Sequence, residues 1–101
     1  MIHVVASIRI KEGHRAAFLE LFKANVPAVL AEEGCIEYAP TVDASSGLEV
    51  QDSDEHRVTA IEKWDSLEAL RAHLEAPHML AFREQSGHLV ESVSLQILEN
   101  A

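Results

Sequence analysis

Hydrophobic and polar residues alternate along the first ten positions of the chain. The apolar positions of this segment are Ile2, Val4, Ala6, Ile8 and Ile10, with mostly polar residues between them. A period of two is typical of an extended backbone whose successive side chains point to opposite faces of a sheet. The pattern therefore predicts a β-strand over residues 2–11 with one strongly buried face.

A helical spacing of apolar residues follows Gly13. The positions that share this spacing are Phe18, Leu21, Phe22, Val26, Val29 and Leu30. Pro27 lies inside the run and removes one backbone donor, so we expect a kink or a break near Ala24–Asn25. Gly34 is a suitable C-cap and predicts the end of the helical segment.

Two further strands flank an acidic stretch. Residues 35–42 predict the second strand, and Pro40 makes it an edge strand or a bulged one because proline cannot donate to a ladder. The third strand, residues 57–64, places Val58, Ala60, Glu62 and Trp64 on one face. Residues 43–56 between them lack the glycine and ligand spacing of a calcium loop, so we interpret them as a solvated connection.

The rest of the chain predicts two helices and one strand. Asp65 and Glu68 have the spacing of a capping box at the start of the second helix. Pro77 ends that helix and begins a short third helix, which Gly87 closes. Residues 88–98 predict the last strand, and its apolar face comprises Leu89, Val93, Leu95 and Ile97.

The element order is therefore β-α-β-β-α-β with a helical extension after the second helix. This order predicts an α+β, ferredoxin-like domain with an antiparallel sheet, and the length of 101 residues indicates one domain over residues 1–101. The helices of such a fold cover one face of the sheet. The opposite face is solvated or covered by a second subunit.

Charge and targeting signals narrow the class of protein. The formal net charge is −9, and the 8 Lys and Arg residues form no basic stripe, which argues against nucleic acid or an anionic membrane as a partner. The first residues lack the pattern of a signal peptide. Cys35 is the single cysteine, which fits a reducing compartment, so we expect a cytoplasmic protein.

Three local sequences coincide with this element order. They are Glu32-Glu33-Gly34-Cys35-Ile36-Glu37-Tyr38 at the helix-to-strand junction, Glu62-Lys63-Trp64 at the end of the third strand, and His73 followed by Pro77-His78. Together they resemble the antibiotic biosynthesis monooxygenase family of the dimeric α+β barrel superfamily, in particular its quinol-monooxygenase-like members. The resemblance covers essentially the whole chain.

The resemblance implies a homodimer that packs sheet against sheet, with a cavity between the sheet and the helices of each subunit. It also implies oxidation of a small aromatic substrate by molecular oxygen without flavin, haem or metal. The positions that match the family pattern are Trp64, His73 and His78, and more weakly Tyr38 and Glu62. The haem-degrading branch is not matched, because Ser7, His73 and Arg83 stand at its three haem-associated positions.

The candidate catalytic residues are His73 and Glu62. A histidine is a natural base near neutral pH, and His73 borders the apolar stripe of its helix; it could equally be a core histidine bonded to a backbone carbonyl. Glu62 is either a buried base, a group that orients a histidine, or an exposed member of an ion pair.

The candidate substrate-binding residues are Trp64, His78, Phe82 and Tyr38. Trp64 and Tyr38 are equally interpretable as core residues, and His78 as a helix-terminal one. A His73/His78 metal pair has no third ligand at a recognisable spacing, so no metal site is predicted. No nucleotide fingerprint is present either.

The sequence leaves three functions open on this fold. The first is a cofactor-independent monooxygenase that oxidises a quinol or polyphenol with oxygen, and the chemistry requires a base, an apolar cavity and a substrate that donates its own electrons. The second is a non-catalytic small-molecule binding or sensing module. The third is a stress-response protein that acts on electrophiles.

Overall fold

The structure is a computed structural model that describes residues 1–101. The elements in chain order are β1 (Ile2–Ile10), α1 (Arg15–Leu30), β2 (Cys35–Thr41), β3 (Arg57–Trp64), α2 (Leu67–Glu75), α3 (Pro77–Ser86) and β4 (Val90–Glu99), with a 3-10 turn at Gly87–Leu89. This order confirms the predicted ferredoxin-like α+β arrangement. No helix has the length and apolar character that crossing a membrane requires.

The four strands form one antiparallel sheet in the order β2-β3-β1-β4. β2 is thus an edge strand, as Pro40 predicts, and its register shifts between Cys35 and Glu37. β4 is the other edge. Strands β1 and β3 lie in the centre, with Ile2 opposite Trp64 and Ala6 opposite Ala60.

The hydrophobic core lies between the sheet and the helices. Along β1 and β3 every second residue is buried, which confirms the faces that the alternation predicts. The core residues that the helices contribute are Phe18, Phe22 and Val29 of α1, Leu70 of α2, and Met79 and Phe82 of α3. Because all three helices pack on this one face, the opposite face of the sheet is left uncovered within the chain.

The predicted break near Ala24–Asn25 is wrong. α1 continues through Pro27 to Leu30 as one helix of 16 residues. Pro27 lies in the last turn, where it removes a single helical hydrogen bond, and its carbonyl accepts one from the amide of Ala31. The C-cap is also Ala31 rather than Gly34.

Gly34 has a different role from the predicted cap. Its φ of +83° turns the chain into β2, and a Cβ at this position would lie 2.6 Å from the Cβ of Ala69 on α2. The glycine therefore allows α2 to approach the turn between α1 and β2 closely. His73 follows Ala69 by one helical turn, so the same face of α2 points towards that turn.

Several other boundaries differ from the prediction by one or two residues, and β1 and β2 each end one residue earlier than predicted. Ser66, not Asp65, is the N-cap of α2, and its hydroxyl accepts from the amide of Ala69. β4 begins at Val90 instead of residue 88, because Leu89 belongs to the 3-10 turn and is buried there. Val93, Leu95 and Ile97 share one face as predicted, but no helix covers them and they are exposed.

Candidate active site

A cavity of about 340 Å³ lies between the sheet and the helices. Its size falls within the range of small-molecule sites, about 300–1,000 Å³. Ile8 of β1 and Ala60 of β3 are the residues of the two central strands that line it together with Glu62. Val93 and Leu95 of β4 line its open side.

Aromatic rings form much of the wall of this cavity. The aromatic residues that line it are Phe18, Phe22, Tyr38 and Phe82. The rings of Phe22 and Tyr38 stack with centroids 5.1 Å apart, and Phe82 meets Phe22 edge to face at 5.7 Å. These contacts hold the rings in place, and together they form an apolar wall on which a flat aromatic molecule could stack.

Glu32 connects two histidines beside the cavity. One of its carboxylate oxygens lies 2.8 Å from Nδ1 of His73 and 2.8 Å from Nε2 of His78. Glu32 sits in the turn after α1, His73 on α2 and His78 in the first turn of α3. Three separate elements therefore bring this group together.

The shared carboxylate fixes the proton on each ring. A carboxylate only accepts hydrogen bonds, so both Nδ1 of His73 and Nε2 of His78 carry a proton and donate to Glu32. Neutral His73 then has its lone pair on Nε2. Burial lowers the pKa of His73, against the effect of Glu32, so the ring is neutral at neutral pH.

The Nε2 atom of His73 makes no side-chain hydrogen bond. His73 lines the cavity and is almost fully buried. No buried side-chain nitrogen or oxygen of the chain lacks a hydrogen-bond partner, yet the only side-chain hydrogen bond of His73 is the one through Nδ1. Nε2 is therefore not completely sealed, and it is the ring nitrogen left without a side-chain hydrogen bond, so it is available as a proton acceptor.

Glu62 is a second proton acceptor in the same cavity. It lines the cavity from β3, and one of its oxygens accepts a hydrogen bond of 3.0 Å from Nε1 of Trp64. Burial raises the pKa of Glu62 to about 7, although the Trp64 hydrogen bond acts in the opposite direction. The carboxyl group thus exchanges a proton close to neutral pH, where a general base is most useful.

Tyr38 and Arg83 add two hydrogen-bond donors to the lining. Burial and the nearby Glu62 raise the pKa of the Tyr38 phenol, so it stays protonated and keeps a proton that it can donate. The guanidinium of Arg83 is the single cationic group among the lining residues, and it donates to the carbonyl of Leu74 at the end of α2. A phenolate in the cavity would lie near a positive charge.

The structure brings four of the six predicted site residues to one cavity. His73, Glu62, Tyr38 and Phe82 line it, whereas Trp64 and His78 do not. Trp64 is fully buried behind the lining, where its ring packs on His73 at a centroid distance of 4.6 Å. It ends β3 below α2, while the cavity lies over the middle of the sheet. His78 lies on the outer side of Glu32, next to a shallow surface groove.

Glu32 and Arg83 are functional candidates that the sequence reasoning did not assign. Glu32 stands in the quoted junction sequence, but nothing in that sequence reveals a contact with a histidine 41 residues away. Arg83 directly follows Phe82 on α3. The one sequence feature that points to Arg83 is its position beside Phe82, a candidate substrate-binding residue.

Two other features carry no comparable chemistry. A polar depression of about 420 Å³ lies beside the acidic loop, where Asp43 pairs with Arg57 at 2.8 Å, and none of the predicted site residues lines it. Burial raises the pKa of Cys35 to about 11, so the thiol is protonated and unreactive at neutral pH.

Fold and cavity together define a ferredoxin-like α+β domain with a cavity of small-molecule size between its sheet and its helices. Residues 1–85 match the family model described as "Antibiotic biosynthesis monooxygenase", so the chain belongs to this family. Membership in this family supports an enzyme of the monooxygenase class. The family that the sequence resemblance indicates is thus confirmed.

Relatives extend over nearly the whole chain. "Probable quinol monooxygenase YgiN" of Escherichia coli strain K12 is 42% identical over 101 residues, which cover 98% of this chain and 97% of the relative. Among solved structures, PA3566 from Pseudomonas aeruginosa superposes with a TM-score of 0.83 at 27% identity, covering 99% of this chain and 93% of that one. Rv0793 from Mycobacterium tuberculosis superposes with a TM-score of 0.82 at 27% identity, covering 99% of this chain and 94% of that one.

Proposed function

We propose that this enzyme oxidises a small quinol or polyphenol with molecular oxygen inside the cavity, without a bound cofactor. The observation that supports this most directly is the convergence of two proton acceptors, Nε2 of His73 and the carboxylate of Glu62, on one aromatic-walled cavity. The name of the 42% identical relative supports the choice of a quinol.

The substrate itself supplies the electrons in this reaction. A quinol reacts slowly with triplet oxygen while it is protonated, and far faster as a phenolate. Removing its two hydroxyl protons therefore activates it, and an apolar cavity excludes the water that would return them. Overall, quinol and O₂ give a hydroxyquinone and water: one oxygen atom enters a ring carbon, the other becomes water, and all four electrons come from the quinol.

The two acceptors have different places in the sequence of steps. His73 accepts the first hydroxyl proton at Nε2, and the Glu32 carboxylate at Nδ1 stabilises the imidazolium that forms, since the two lie 2.8 Å apart. Glu62 accepts the second proton. Arg83 and the Tyr38 hydroxyl hold the phenolate oxygens and stabilise their negative charge.

We propose a homodimer as the working unit. β4 is an edge strand, and its exposed apolar residues include Val93, Leu95 and Ile97, two of which line the open side of the cavity. Exposed apolar edge strands are usually paired or covered in native proteins. A second copy over β4 would protect the edge and close the cavity.

We also propose a cytoplasmic location, because the free thiol of Cys35 fits a reducing compartment.

Oxygen consumption with a panel of naphthohydroquinones and polyphenols, corrected for autoxidation, tests the proposal. We expect saturable uptake by the wild type and a loss of about 100-fold or more in His73→Gln, because general base catalysis contributes roughly 10²–10⁴-fold. The exposed His14 offers a matched control, and His14→Gln is expected to keep full activity.

Labelled oxygen identifies the reaction. Under ¹⁸O₂ a monooxygenase places one heavy atom in the product and the other in water, whereas a simple oxidase forms hydrogen peroxide and an unlabelled quinone. No uptake above the blanks across the panel would contradict the proposed substrate class. Equal uptake by the wild type and His73→Gln would contradict the assigned base.

A further inference from the structure

The side chains of Glu32, His73 and His78 form a cluster with the composition of a metal site. We call these three residues the Glu-His-His cluster. One ligand atom from each lies within 4.8 Å of both others, and the Glu32 oxygen lies 2.8 Å from each histidine nitrogen. Two imidazoles and a carboxylate are the ligands that first-row divalent transition metals share.

The distances are close to those that a bound ion requires. With metal–ligand bonds of about 2.0–2.1 Å, two ligands of a tetrahedral zinc ion are about 3.3 Å apart. The Glu32 oxygen and the histidine nitrogens would have to separate by roughly half an ångström. Side-chain rotations supply such a movement easily at His78, which is partly exposed and leaves a path from solvent.

The surroundings also favour a small number of ligands and an open position. His73 and Glu32 are largely buried, so the cluster is fixed on its inner side, and His78 stands at the surface. Three protein ligands with a solvent-facing fourth position are the arrangement of an exchangeable zinc site rather than of a closed structural one.

We propose that the Glu-His-His cluster reversibly binds a divalent transition-metal ion of the Zn²⁺ type and that bound metal inhibits the enzyme. The ion replaces the two hydrogen bonds to Glu32 and binds Nδ1 of His73. The proton of the neutral ring then moves from Nδ1 to Nε2. With a proton on Nε2, His73 donates to the cavity and no longer accepts a hydroxyl proton from substrate.

Calorimetric titration of the tag-free, chelator-treated protein with Zn²⁺ tests the site independently of any activity. We expect one Zn²⁺ per chain, at least about tenfold weaker binding in His78→Gln, and unchanged binding in the matched exposed-histidine variant His14→Gln. Circular dichroism of each variant checks the fold. Equal affinity of the wild type and His78→Gln would overturn the site.

The inhibitory effect of the metal rests on the proposed function, so it is measured by oxygen uptake, separately from the calorimetric test of metal binding. At Zn²⁺ concentrations that saturate the calorimetric site, oxygen uptake of the wild type should fall to the level of His73→Gln, and a chelator should restore it. In His78→Gln the same Zn²⁺ concentration should leave the remaining uptake unchanged. Full uptake by metal-saturated wild type would overturn inhibition, while an absence of uptake without metal would contradict the proposed function alone.

Discussion

The carboxylate of Glu32 lies 2.8 Å from Nδ1 of His73, although 41 residues separate them in the chain. This contact determines which nitrogen of His73 has the lone pair, on a ring that lines the cavity. The same carboxylate also accepts from His78, so one residue orients the proposed base and completes the proposed metal site. The consequences of removing its charge are therefore distinct from those of removing the base.

We expect Glu32→Gln to lower kcat by about tenfold to a hundredfold with a smaller change in KM. General base catalysis as a whole contributes roughly 10²–10⁴-fold, and the amide keeps the shape but neither the charge nor a fixed tautomer of His73. Steady-state oxygen uptake measures both constants. Glu33→Gln, at the exposed neighbouring position, is the matched control. An equal loss in both variants would show that Glu32 acts only through general surface charge.

Trp64→Phe is expected to shift the pH dependence of the reaction. Activity should rise with pH as Glu62, whose pKa is about 7, loses its proton. Removing the indole donor withdraws the hydrogen bond that lowers this pKa, so the midpoint moves to higher pH by about one unit, as for a hydrogen bond to a charged group worth about 1.5 kcal/mol. Measurement of kcat/KM between roughly pH 5 and pH 10, a range that includes the midpoints expected for the wild type and for Trp64→Phe, locates both midpoints. An unchanged midpoint would contradict the role of Glu62.

The sequence was sufficient for the elements and for four residues of the cavity lining, His73, Glu62, Tyr38 and Phe82. Alternation placed Glu62 on the buried face of β3, and helical spacing placed His73 and Phe82 towards the core, because both periods describe local geometry. Which part of a strand a helix covers depends on tertiary packing, and the alternation does not reveal it. Trp64 shares the buried face of β3 with Glu62, but it lies two residues further along, where its ring packs on His73 of α2. The partner of His73 was beyond sequence reasoning for the same reason, since Glu32 reaches it through tertiary packing.

Glu62→Gln should make the protein more stable relative to the wild type as pH rises. The pKa of Glu62 is raised from 4.5 to about 7 in the folded state, so the stability it contributes is complete below pH 4.5 and is lost as pH rises through 7. Glutamine still accepts the hydrogen bond from Trp64 but does not ionise. Urea unfolding should show a change in the free-energy difference between the variants on the order of 3 kcal/mol from acid to mildly alkaline pH. A pH-independent difference would contradict a buried, titrating Glu62.

Ile97→Asp is expected to convert a dimer into a monomer. Ile97 is 48% exposed on the edge strand β4 and does not line the cavity. A carboxylate at this apolar edge would be desolvated in an interface and disfavours association. Light scattering after size exclusion measures the mass. Leu80→Asp, at an exposed apolar position on α3, is the matched control and should stay dimeric. A wild type that is monomeric at micromolar concentration would contradict the proposed homodimer.

Gly34→Ala should destabilise the fold and impair the site more than Gly13→Ala does. Both glycines have nearly the same positive φ, 83° and 81°, so the backbone strain of alanine, about 1–2 kcal/mol, is common to the two variants. A Cβ at Gly13 would meet nothing within 4 Å, whereas one at Gly34 would lie 2.6 Å from the Cβ of Ala69. The clash pushes α2 away from the turn that holds Glu32, and the contact between Glu32 and His73 lengthens with it. Urea unfolding should therefore show an additional loss of roughly 1–3 kcal/mol, as for overpacked cores, and kcat should fall only in Gly34→Ala. Equal losses of stability in the two variants would mean that the close approach of α2 does not position His73.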